Sequence, residues 1–129
     1  MSQIVSTLNV LVMACIAVTF FVFATSSKSL PNDSPFAARI QSSDIVLVKF
    51  GADWCPPCRK MEGELNHLAE ISPYISIVKL DVQRDRKLAA YYGVSTIPHV
   101  ILFKHGKQVD QIKGYRTHQE LKSWIGTTN

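Results

Sequence analysis

The chain has 129 residues, with 14 Lys and Arg against 10 Asp and Glu, a formal net charge of +4 and 47% hydrophobic side chains. That length admits one ordinary domain and hardly two, with enough apolar side chain for a packed core. The basic balance suggests a nucleic-acid partner, but the charge pattern argues against one: Lys and Arg are scattered among acids, and the densest run, Arg84-Asp85-Arg86-Lys87, itself contains one.

Residues 4–24 are almost entirely apolar, and every charged side chain lies from Lys28 onward. A helix that spans a bilayer needs about 20 such residues, which this run supplies, with Ser6, Asn9 and the threonines as mild penalties. A cleaved export signal is the alternative, cut after Val22-Phe23-Ala24. Against cleavage, the run is long and no Lys or Arg precedes it. Lipid attachment at Val12-Met13-Ala14-Cys15 is the weaker reading, because apolar sequence continues past Cys15. A buried core helix would need a larger protein to cover it. The expected division is an anchor or signal peptide over 1–25, a polar linker over 26–34 and a folded domain over 35–129.

Within the domain, Ser34 is placed to cap a short helix with Pro35 at its first position, and Phe36 and Ile40 share one face of it. Residues 45–50 form a β-branched and aromatic run suited to a central strand buried on both faces. Residues 55–72 read as a helix, because Cys58, Met61, Leu65 and Leu68 recur at spacings of three and four. Residues 76–81 are a second strand, and Asp85 is placed to cap a short helix ending at Gly93. Residues 100–104 and 108–112 flank His105-Gly106, a hairpin signal. Thr117 and Glu120 have capping-box spacing and open a last helix holding Leu121, Trp124 and Ile125. Strands joined through helices pair in parallel, and a tight hairpin pairs antiparallel. The order therefore implies an α/β domain with a mixed central sheet and helices on both faces, preceded by the N-terminal apolar helix.

The chemistry sits at Trp54-Cys55-Pro56-Pro57-Cys58, between the buried strand and the amphipathic helix. A thiolate is the attacking species, and a free cysteine near pKa 8.5 is mostly protonated at neutral pH. A helix N-terminus stabilises the anion through its dipole and unpaired N–H groups. Cys55 falls there, and Cys58 lies deeper on the same end. Cys55 is then the attacking thiol and Cys58 the one that resolves the mixed disulfide. A zinc site needs four ligands, and this pair supplies two. A purely structural disulfide closing so small a loop would constrain little of the unfolded chain. No metal and no cofactor is expected.

The segment Val46-Leu47-Val48-Lys49-Phe50-Gly51-Ala52-Asp53-Trp54-Cys55-Pro56-Pro57-Cys58 resembles the active-site segment of the thioredoxin family. Thr96-Ile97-Pro98 resembles the loop that carries that family's cis-proline, and Gly106 and Gly114 fall where its glycines do. The resemblance implies a thioredoxin fold and a cis Ile97–Pro98 bond packed against the cysteines. It also implies an apolar surface of Trp54, Ile97, Pro98 and Gly114 that receives an extended substrate segment.

Several positions depart from the family pattern. Lys49 stands where a buried Asp is usual on the central strand, and Lys79 matches the lysine that normally neighbours that Asp. The two would repel, with Asp81 as a compensating charge. Lys49 is expected either to stabilise a thiolate at Cys58 or to snorkel away, and both lysines are candidates for tuning the thiol pKa values. Pro56 removes an N–H donor near Cys55. Gly51 replaces a frequent Trp and Gly63 a helix-kinking Pro. His99 would tune Cys55, touch substrate or stand exposed in a loop.

The reading that follows is a thiol–disulfide oxidoreductase, a protein-disulfide reductase or electron carrier working through Cys55 and Cys58. The alternatives are a disulfide oxidase and a binding module in which the thiols are incidental. Expected partners are protein disulfides, a membrane or soluble electron donor, and the membrane itself through residues 4–24; the domain is expected to be a monomer. Asp53-Trp54-Cys55 is also similar to the thioredoxin-like domain of transmembrane thiol–disulfide interchange proteins. Because chains that resemble thioredoxin and carry an N-terminal apolar leader are usually exported, the domain is placed outside the cytoplasm. Secretion after cleavage near Ala24 is the alternative. So is a cytoplasm-facing domain, which the single flanking Lys28 would favour.

Overall fold

The computed structural model of the protein describes residues 34–128. The expectations placed on the N-terminal apolar segment and on all of the linker but Ser34 lie outside those residues. Among the described residues, no helix is long and apolar enough to cross a membrane.

Ser34 begins the fold as the N-cap of α1 (Pro35–Ile40), its side chain accepting from the Ala37 N–H. Pro35 in the first turn loses nothing there, because that N–H has no partner inside the helix. Then follow β1 (Ile45–Gly51), α2 (Pro56–Ile71), β2 (Ile75–Asp81), α3 (Arg86–Tyr91), β3 (His99–Lys104), β4 (Lys107–Lys113) and α4 (His118–Thr127). The order is the expected one. The sheet runs β2-β1-β3-β4, with β1 parallel to β2 and antiparallel to β3, and β3 antiparallel to β4.

From Val46 onward every residue of β1 is buried, as its unbroken apolar run requires of a strand covered on both faces. On one face α2 and α4 contribute Met61, Leu65, Leu68, Leu121 and Ile125 to a core with Leu47, Val100 and Leu102. On the other, Phe36 of α1 and Tyr92 just after α3 pack edge-on against Phe103, and Tyr92 also meets Phe50.

The hairpin turns through His105 (φ 51°) and Gly106 (φ 76°), with Lys104 opposite Lys107. Two positive φ values in a two-residue loop are what the strand twist demands of such a turn. Thr117 and Glu120 form the expected capping box at the start of α4. One cap differs from expectation. Asp85 stands at the N-cap of α3 but makes no capping bond; its carboxylate accepts from the Asp81 N–H instead and closes the turn after β2.

Candidate active site

The C-terminal end of β1 delivers Gly51 and Ala52, and the chain turns through exposed Asp53 and Trp54 into the first turn of α2. Cys55 is the N-cap residue, in extended conformation, and its carbonyl accepts the first helical N–H groups, from Cys58 and Arg59. Pro56 and Pro57 occupy the first two helical positions and carry no N–H. The anion-stabilising amides usual at a helix start are therefore reduced at this one.

Cys55 and Cys58 are joined by a disulfide, with Cα atoms 5.2 Å apart. Both are buried, Cys58 completely and Cys55 at 4% exposure. They cluster with Ala52, and Val82 and Ile97 pack against them. The Ile97–Pro98 bond is cis, as the resemblance implies. Gly114 (φ 83°) lies beside it, its N–H donating to the Pro98 carbonyl at 2.8 Å; only glycine adopts that φ freely. Trp54 remains 63% exposed. The structure thus brings Cys55, Cys58 and Ile97 into one cluster and ties Gly114 to Pro98, while Trp54 stands on the adjoining turn.

Beneath the pair, Lys49 is buried at 3% exposure. It neither snorkels away nor pairs with Asp81. Its ammonium donates to Glu62 Oε1 at 2.6 Å. That bond, ahead of the nearby positive charge, holds the Glu62 carboxyl below the usual carboxylate range, with burial opposing. Asp81 is engaged elsewhere, accepting from the Gln83 and Arg84 N–H groups. Lys79 stands in register with Lys49, but its side chain is solvent-exposed and donates to Asn66 at 3.0 Å. Water and the bond to Asn66 relieve the expected repulsion.

Glu62 is the site residue that sequence reasoning missed. The available signal was its place four residues after Cys58, one helical turn further along the same face. Gly51 and Lys49, read as separate departures, prove to be one arrangement: a Cβ at Gly51 would lie 2.6 Å from both Cε and Nζ of Lys49. His99 is likewise corrected. It is fully buried at the start of β3, with Nε2 against Gln111 Oε1 at 3.1 Å and Nδ1 without a partner. Burial lowers its pKa, and it offers no surface to substrate. Among the described residues, no group of three His, Cys, Asp or Glu side chains is placed to hold a metal ion.

Two sulfurs joined as a disulfide at a helix start, on a mixed sheet layered by helices, define a dithiol–disulfide exchange protein. The thioredoxin family model matches residues 27–127. The thioredoxin of Chlamydia muridarum is 42% identical over 84 residues, covering 65% of this chain and 82% of that protein. The thioredoxin of Alicyclobacillus acidocaldarius is 37% identical over 95 residues, 73% and 90% of the two chains. A solved mutant thioredoxin from Halobacterium salinarum superposes with a TM-score of 0.68 at 35% identity, covering 71% of this chain and 80% of that one. The chain belongs to the thioredoxin family. It is a thiol–disulfide oxidoreductase that reduces protein disulfides.

Proposed function

We propose that Cys55 attacks the substrate disulfide and that Cys58 resolves the resulting mixed disulfide. An extended substrate segment lies across Trp54, Ile97, Pro98 and Gly114. The observation that carries this reading is the placement of the linked pair, Cys55 at the N-cap and Cys58 inside the first turn of α2. Cys55 ends the exposed turn that carries Trp54, whereas Cys58 is shut off from solvent. An incoming sulfur meets Cys55 first, and the mixed disulfide it forms stands within reach of Cys58.

The finer setting rests on the sequence. Residues 4–24 anchor the chain in a membrane, residues 26–34 are the tether, and the domain works as a monomer outside the cytoplasm. A membrane-borne dithiol donor then returns electrons to Cys55–Cys58. The test is a pair of full-length variants expressed in cells. Cys58→Ser accumulates mixed disulfides with client proteins in the membrane fraction, and Cys55→Ser accumulates none. Trapping by Cys55→Ser alone reverses the assignment of the two sulfurs.

A further inference from the structure

Among the described residues, Lys49 is the one fully charged side chain that the fold buries. An ammonium on a central strand is costly to desolvate, and an apolar side chain of similar volume fills such a place at less cost. Glu62 offsets the charge only in part, because that carboxylate is itself 41% exposed and water weakens its field. The ammonium and the second cysteine border the same space. A Cβ built on Gly51 would stand 2.6 Å from Lys49 Nζ and 3.2 Å from Cys58 Cβ. Lys49 and Cys58 therefore share the space that Gly51 leaves empty.

We propose that Lys49 is a positioning residue for the resolving step: a fixed positive charge that favours the thiolate of Cys58, opposed by Glu62 and admitted by the missing side chain of Gly51. This rests on the reading of Cys58 as the resolving thiol. In the first step Cys55 thiolate forms a bond to one substrate sulfur, the substrate S–S bond breaks, and the other sulfur leaves as a thiolate. Cys58 then gives its proton to solvent, and its thiolate attacks Cys55 Sγ. The Cys55–substrate bond breaks and the second substrate thiolate leaves. Two electrons have passed to the substrate, and the two protons lost by the dithiol reach the two substrate sulfurs through water.

A small cleft of about 60 Å³ is lined by Lys49 and Glu62, by Lys79 and Asp81 of β2, and by Arg84 and Asp53 from the flanking turns. Lys79 is turned to Asn66, and Asp81 is held by two backbone N–H groups. On the remaining side β3 presents Val100 opposite Lys49. Of these charges, Lys49 is the one in the space beside Cys58.

The test is the pKa of Cys58 in the full chain carrying Cys55→Ser, followed by thiolate absorbance, together with the pH midpoint of mixed-disulfide resolution in the chain with both cysteines. Lys49→Met raises both by about one unit, the size expected for losing a close opposite charge. Glu62→Gln lowers both, because the opposing charge is gone and Lys49 acts undiminished. Gly51→Ala displaces the ammonium and moves both in the direction of Lys49→Met, by less. Loss of a merely structural ion pair would shift the two charge variants the same way, so the opposite signs isolate the field. An unmoved Cys58 in Lys49→Met, or a shift of the same sign in Glu62→Gln, overturns the proposal. If Lys49→Met does not fold, Glu62→Gln and Gly51→Ala decide by the same signs. A wild-type chain in which Cys58 never releases a mixed disulfide defeats the functional reading itself, whereas normal release with unmoved pKa values defeats this inference alone.

Discussion

At Lys49 the desolvation of an ammonium is offset by one short ion pair, and the two halves of that pair are not equivalent. Lys49 is shut away, while Glu62 keeps contact with water. Removing the buried charge lets the carboxylate return to solvent; removing the carboxylate strands the ammonium. Replacing a buried pair member by an apolar group of similar volume is often near neutral, but leaving its partner unpaired is not. Lys49→Met is therefore expected to change stability by less than about 1 kcal/mol, and Glu62→Gln to cost about 1–3 kcal/mol. Urea unfolding of the two variants checks this. A larger loss in Lys49→Met than in Glu62→Gln would show that the lysine is held by its packing and that the pair contributes little. Gly51 belongs to the same arrangement, because its value lies in the side chain it lacks. The link between Lys49, Glu62 and Gly51 does not announce itself in the sequence. Lys49 and Glu62 are 13 residues apart, on a strand and a helix, and whether they meet depends on how the helix crosses the sheet.

At the scale of elements, α4 is fastened at both ends. Glu64 of α2 takes the His118 N–H at 2.8 Å and His118 Nδ1 at 2.7 Å on one oxygen, and the Tyr115 hydroxyl at 2.9 Å on the other. The His118 backbone bond is the largest of the causes that bring this carboxyl from 4.5 down to about 2. At the far end Lys104 donates to the Ile125 carbonyl at 3.2 Å and to that of Thr128. Trp124 Nε1 donates to Asp110 at 2.7 Å and ties the helix to β4. A carboxyl whose pKa is depressed in the fold is protonated first in the unfolded chain as pH falls. The stability it contributes is thus complete above about pH 4.5 and is lost toward pH 2. Glu64→Gln is expected to flatten the fall in urea midpoint across that window while leaving the curve above pH 5 parallel to wild type. An unchanged slope would remove Glu64 from the acid response.

Caps and turns of this kind divide by how local they are. Ser34-Pro35, the Thr117–Glu120 box and His105-Gly106 were legible because each is completed within a few residues of chain. Asp85 was not, because its carboxylate had a competing N–H four residues upstream, at Asp81, and took it. His99 was misjudged for a related reason. Its neighbours Thr96, Ile97 and Pro98 read as a loop, yet β3 begins at His99 itself and carries it into the sheet opposite Phe50.

In the whole molecule, the alternation of helix and strand is what sets the chemistry. One central strand ends at Gly51, one helix begins after Cys55, and the β3–β4 hairpin returns Pro98 and Gly114 to the same end of the sheet. The architecture and the sulfur pair were readable from the order of elements and from one motif. The charge arrangement under the sulfurs was not, since it depends on packing between elements. The claim on which the rest depends is that Cys55 and Cys58 pass two electrons as a unit, in the reducing direction. Equilibrating the full chain in thiol–disulfide buffers of graded potential and trapping free thiols measures this directly. The expected result is a single two-electron transition involving both cysteines, with a potential near about −270 mV, abolished by Cys55→Ser. Independent one-sulfur reactions would contradict exchange by the pair, and a two-electron transition near about −120 mV would contradict the reducing direction.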